Sequence, residues 1–159
     1  MIIHLFAHFI CCQQIEHTYA MIKPKYENLW GVVIQRIIDE KLQIVRMKKT
    51  SFDEKTASLF YAEHLGKPFF KELTEYITSG PIVAFELAGK NAIEKWREII
   101  GPTKVEVAVN QSPHSLRALF ARSTTENLCH GSDSKESASR EIAIVFADEI
   151  KKEKQNNEL

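Results

Sequence analysis

Apolar positions recur along most of this chain with two different periods, and the changes of period mark its elements. Residues 17–23 (HTYAMIK) read as a strand, 42–47 (LQIVRM) alternate in the same manner, and 82–87 (IVAFEL) form a further apolar strand. Within 28–40, Leu29, Val33, Ile34, Ile37 and Ile38 fall instead at helical spacing. Ser51 and Glu54 make a capping-box pattern that predicts a helix running through Leu65. A third helix is predicted over 69–79 and stopped by Gly80 and Pro81, and a fourth over 91–100, ended by Gly101 and Pro102. Residues 103–126 read as a long irregular region, and long loops in compact domains tend to be functional. A final short strand runs into His130, after which Asp133 with Glu136 predicts the cap of a helix over 134–146. The order β-α-β, helices, β-α-β is that of an α+β, ferredoxin-like split βαβ fold, an antiparallel four-stranded sheet covered by helices.

The ends add less. Residues 1–16 are expected to be an N-terminal extension, 17–148 the domain and 149–159 a polar tail, frayed over 151–159 (KKEKQNNEL). The first twelve residues are apolar but interrupted by His4 and His8, with no Lys or Arg before Lys23. They are too short to span a membrane and lack a charged leader region, and the missing arginine argues against a mitochondrial presequence. A weak signal-like or lipid-facing segment stays open beside the plainer reading as an extension. The expected location is cytoplasmic, with mitochondrial association left open.

A chain of 159 residues fits one domain and buries roughly two-thirds of its unfolded surface without help from disulfides. Lys and Arg number 21, as do Asp and Glu, so no global basic field points to a polyanionic partner. The three cysteines, Cys11, Cys12 and Cys129, lack CxxC spacing, which fits reduced thiols and argues against structural zinc. Gly89 and Lys90 resemble the end of a phosphate-binding loop, but no glycine stands five positions earlier and Asn91 replaces Ser or Thr. His4, His8, His17, His64 and His114 form no convincing ligand set and read as surface or packing residues, so no metal is expected on protein side chains alone.

His130 reads differently. It ends an apolar run in the segment NLCHGSDS (127–134), which then turns through glycine toward a capped helix. An imidazole presented at a strand end can be a covalent nucleophile when one ring nitrogen is held and the other is free. Around it in sequence stand Lys23, Arg97, Thr103, Arg117 and Asn127. Singly, each reads as a solvated or paired surface group. Jointly, they supply the cations and polar donors that phosphoryl transfer to a histidine requires.

With these residues the chain resembles the nucleoside diphosphate kinase family. The matching segments are HTYAMIKP (17–24), FYAEHLGKPFF (60–70), SGPIVAFEL (79–87), WREIIGPT (96–103) and NLCHGSDSKESASREIAIVF (127–146). GPTKV and SASREIA are most like the divergent animal type-six subgroup. The resemblance implies that His130 accepts the phosphoryl group and that Ser132 and Glu141 orient or polarise its ring. It places Lys23, Tyr61, Arg97, Thr103, Arg117 and Asn127 around the nucleotide phosphates and sugar, with Phe69 stacked on the base. Stacking uses a face every base has, so broad nucleotide specificity is implied. The implied cofactor is Mg²⁺, held mainly by nucleotide phosphates and water.

The chain also departs from the family pattern. Lys25 stands where an acidic residue is usual, the connection after Lys23 is about two residues short, and the loop from Thr103 to Arg117 is about three longer. The usual Arg-Gly-Asp-Phe is Arg117, Ala118, Leu119, Phe120, and a short charged tail replaces the family's longer C-terminal segment. These surfaces build subunit contacts in the family, so the expectation is an assembly smaller than the usual hexamer, with activity well below a typical member and a homo-oligomer or an activating protein as partner. Two other readings compete: a weakly active nucleotide-binding regulatory protein of the same fold, and nucleic-acid binding through the sheet. Zero net charge and the absence of an RNP-like aromatic strand weigh against the latter.

Overall fold

The computed structural model describes residues 15–157. The expectations for the N-terminal extension, including Cys11 and Cys12, lie outside the described residues, apart from its last two positions. Four strands form one sheet: β1 (Glu16–Ile22), β2 (Gln43–Thr50), β3 (Ile82–Gly89) and β4 (Cys129–Gly131). Their order is β2-β3-β1-β4 and every neighbouring pair is antiparallel, as the split βαβ reading expects. The central strands β1 and β3 are nearly all buried, whereas β2 alternates between exposed and half-buried positions, the pattern of an edge.

Successive side chains of the central strands point to opposite faces, so each strand feeds two cores. On one face Ala20, Ile22, Phe85 and Leu87 pack with Val33 and Ile37 of α1 (Trp30–Asp39) and Trp96 and Ile100 of α4 (Ala92–Ile100). On the other, Tyr19, Met21, Ile82 and Ala84 pack with α2 (Glu54–Phe60), α3 (Phe70–Ile77) and α7 (Lys135–Val145). Glu86 is the one ionisable residue of β3. Its buried carboxylate pairs with His17 at 2.6 Å and with Arg46, which in turn holds Glu153.

Several boundaries differ from the sequence expectation. A 3-10 turn, Glu27–Leu29, precedes α1. The cap of α2 is Asp53, which accepts from the Thr56 N–H at 2.7 Å, so the Ser51–Glu54 pattern is not the cap; two overlapping polar patterns compete there and the register that buries Phe52, Ala57 and Phe60 wins. That helix stops at Phe60 and gives way to a 3-10 turn, Ala62–His64, rather than running through Leu65. At α7 the cap is Ser134, in a reciprocal box with Ser137, while Asp133 accepts the Ser137 hydroxyl at 2.9 Å. The region 103–126 is not wholly irregular: it holds α5 (Val105–Gln111) and α6 (Leu116–Phe120). Helices of seven and five residues have no stability of their own, and burial of Ala108 and Leu116 fixes them. Most of the expected frayed tail belongs to α8 (Ala147–Asn157), seated by Ile150 against the second core and by Lys48–Glu149 and Arg46–Glu153 ion pairs.

Candidate functional site

The site is built around the short strand β4. Just before it, the Cys129 N–H donates to the Asn127 carbonyl at 2.8 Å across Leu128, whose φ is 70°. A left-handed leucine closing a three-residue turn is strained, and the complete burial of its side chain holds it there. The following residues pair with β1, setting His130 opposite Met21. Gly131 lies so close to Trp96 that an added Cβ would sit 2.6 Å from the indole nitrogen; that nitrogen donates to the His130 carbonyl at 3.0 Å. The backbone of His130 is therefore fixed from both sides.

Its ring is fixed as well. Nε2 lies 3.0 Å from the Oε2 of Glu141, and the Ser132 hydroxyl donates to the same oxygen at 2.7 Å. Glu141 is almost fully buried on the inner face of α7, and the backbone N–H of Tyr19 donates to Ser132 Oγ at 3.2 Å, tying the hydroxyl to β1. A carboxylate accepting the Nε2 proton sets the tautomer and leaves the Nδ1 lone pair available; no side chain among the described residues hydrogen-bonds Nδ1. Phe60 packs edge-on to the ring at 5.1 Å, with Tyr19 at 5.9 Å and Tyr61 at 6.2 Å.

The phosphate-class residues converge on the same strand. Lys23, at the end of β1, donates from Nζ to Asn127 Oδ1 at 2.8 Å and to the Thr125 carbonyl at 3.2 Å. Asn127 in turn donates to the Thr103 carbonyl at 3.4 Å. Arg117 donates to the carbonyls of Gly101 at 2.6 Å and Cys129 at 2.9 Å and approaches the Thr103 hydroxyl at 3.5 Å. Burial, then the Arg117 charge, brings the Lys23 ammonium down to about 7; burial likewise brings Arg117 down to about 10, partly offset by the Cys129 thiol, with Arg97 also lowering it. The buried Nε of Arg117 and the buried hydroxyl of Tyr61 have no partner among the described residues. Cations held out of water with donors to spare make this a place where an anion's charge is stabilised strongly.

Arg97 is exposed on α4, and a groove of about 800 Å³ runs past it, Gly101 and Asp133 to the start of α7. A second groove of similar size, lined by His17, Arg46 and Glu86, adjoins the first at Glu16, Asn91 and Lys135. Phe69 is about half exposed and joins the site through aromatic neighbours. Its ring meets His64 at 5.4 Å, and His64 stacks on Tyr61 at 6.1 Å. The sequence reading took His64 as a surface or packing residue, and it packs between Tyr61 and Phe69, where burial first and the Lys67 charge lower its pKa against the opposing pull of Glu63. The usable signal was its spacing, three residues after Tyr61 and five before Phe69 in one turn. Of the other discarded histidines, His17 pairs with Glu86, and His114 offers its carbonyl to Arg36 at 3.3 Å.

The family model for nucleoside diphosphate kinase matches residues 16–150. The chain belongs to the nucleoside diphosphate kinase family. A nucleoside diphosphate kinase of Deinococcus radiodurans is 44% identical over 136 residues, which cover 84% of this chain and 96% of that protein. Human nucleoside diphosphate kinase 6 is 42% identical over 139 residues, covering 86% and 75% of the two chains. The crystal structure of the Aquifex aeolicus nucleoside diphosphate kinase superposes with a TM-score of 0.81 at 41% identity, covering 84% of this chain and 96% of that one. The buried polar chain from Lys23 to Arg117 is thus part of a nucleoside diphosphate kinase domain.

Proposed function

We propose that this nucleoside diphosphate kinase passes the γ-phosphoryl group of a nucleoside triphosphate to a nucleoside diphosphate through a phosphohistidine at His130. The observation that carries the reading is the ring itself: Nε2 is held by Glu141, Ser132 fixes that carboxylate, and Nδ1 has no protein partner among the described residues. The Nδ1 lone pair attacks the γ-phosphorus, the bond to the bridging oxygen breaks, and the diphosphate leaves with that electron pair. A terminal phosphate oxygen of a second diphosphate then attacks the phosphohistidine, and the nitrogen regains its lone pair. Glu141 keeps the Nε2 proton in place throughout. Lys23, Arg97 and Arg117 neutralise charge on the transferring group, while Thr103, Asn127 and Tyr61 orient it.

No cluster of three His, Cys, Asp or Glu side chains able to hold a metal exists among the described residues. The donor set is cationic, which fits Mg²⁺ carried in on nucleotide phosphates and water rather than bound to the protein. When bound, the ion supplies charge neutralisation on those phosphates.

Phe69 serves as the stacking platform for the base. Phe69→Ala is expected to raise KM for nucleotides roughly tenfold and leave kcat within about twofold, since stacking on one base contributes ~1–3 kcal/mol. Steady-state exchange with purine and pyrimidine diphosphates checks this; an effect on kcat alone would count against the platform. Lys23 gives a pH signature. Its ammonium is protonated below about 7 and loses its proton above that, so nucleotide affinity should be full on the acid side and fall as pH rises through neutrality. Lys23→Arg should flatten that fall, and titration of diphosphate binding against pH reads it directly.

We also expect the isolated chain to assemble below the hexamer, because the lengthened loop folds into α5 and α6 and carries Leu119 where an aspartate is usual, altering surfaces the family uses between subunits. Light scattering with a parallel exchange assay decides; a stable hexamer of ordinary activity would remove this expectation alone. Incubation with γ-labelled ATP tests the main reading: label that chases onto added diphosphate supports it, and a folded protein that never labels favours a regulatory role.

A further inference from the structure

Lys25, one of the residues that depart from the family pattern, has an unusual position. Its backbone is left-handed, φ 71°, immediately after the strand that delivers Lys23, and its ammonium donates to Glu126 Oε1 at 2.9 Å. Glu126 directly precedes Asn127, the partner of Lys23. The same junction is closed by two aromatic rings. Tyr76 lies 5.4 Å under the Lys25 ammonium and donates its hydroxyl to the Pro24 carbonyl at 2.7 Å; Tyr26 donates to the Glu126 carbonyl at 2.9 Å and has the Arg122 guanidinium 5.3 Å above its ring. Arg122 also approaches the Glu126 carboxylate at 3.9 Å.

We propose that Lys25 and Glu126 form a positioning clasp that locks the end of β1 to the loop before β4 and thereby sets the spacing of Lys23 and Asn127 around the nucleotide; this rests on the functional reading above. An isolated, partly exposed ion pair contributes little to stability. Here it acts at the two points where the chain enters the site, and displacements of a fraction of an ångström there alter how the phosphates are held. The left-handed Lys25 and Leu128 on the facing segments are the kind of strained positions that surrounding contacts must hold in place. Two reversals of charge separate the clasp from either side chain acting alone.

Lys25→Glu and Glu126→Lys singly place like charges together, and each should raise the nucleotide KM about three- to tenfold with kcat changed less and the melting temperature nearly constant. The double variant restores the pair with its polarity swapped and, built on Arg122→Gln so that no cation faces the new lysine, should return KM to within about twofold of Arg122→Gln alone. Amide hydrogen exchange over 122–129 gives a readout that needs no activity: faster in each single variant, and in the double that of Arg122→Gln alone. An absent exchange reaction in the parent protein would fail the kinase reading alone. Unchanged amide exchange in the singles, or no rescue of it in the double, would overturn the clasp.

Discussion

His130→Asn is expected to abolish both phosphoenzyme formation and nucleotide exchange, lowering the rate by more than about a thousandfold, as loss of a covalent nucleophile does. The label carried by the parent protein should be acid-labile, because the bond is N–P. The fold should survive. The His130 side chain is part-exposed, and its loss removes one partner of Glu141 while Ser132 still donates to the same carboxylate oxygen. Leaving that buried carboxylate one hydrogen bond short costs about 1–2 kcal/mol, which a domain of this size tolerates. Acid-stable label, or undiminished exchange by a folded variant, would reject His130 as the carrier.

The second large effect concerns the two arginines, and their environments predict different outcomes. Either alanine substitution should slow transfer on the order of a hundredfold, the loss seen when one preorganised donor to a developing charge is removed. Arg97 is exposed and makes no side-chain hydrogen bond among the described residues, so Arg97→Ala should leave thermal stability unchanged. Arg117 is buried and satisfies the carbonyls of Gly101 and Cys129, so Arg117→Ala should also destabilise the fold by about 2–4 kcal/mol. Rate and melting temperature measured together distinguish them. Small, equal effects on rate at both positions would count against the phosphate clamp.

These contrasts come from burial, which the linear chain does not display. Arg97 and Arg117 were equally plausible as cations near a phosphate, and nothing in their local sequence marks one as a surface residue and the other as a core strut. The same holds for His64. Discarded for want of metal-ligand spacing, it turns out to link Tyr61 and Phe69 because a 3-10 turn follows α2 instead of a continued helix.

What the sequence determined by itself was what short-range chemistry fixes. The apolar runs at 17–23 and 82–87 mark strands, Gly101 with Pro102 ends a helix, and the HGSDS segment holds the candidate nucleophile and its hydroxyl partner in one stretch. Tertiary structure decided the rest. Helices α5 and α6 exist because Ala108 and Leu116 find the core, and α8 is held by Ile150 and ion pairs to β2. The site itself joins Lys23 to Asn127, 104 residues apart, and His130 to Glu141, 11 apart. Such pairings depend on strand register and helix packing, long-range consequences of burying two apolar faces at once, and only the folded chain brings them within hydrogen-bonding distance.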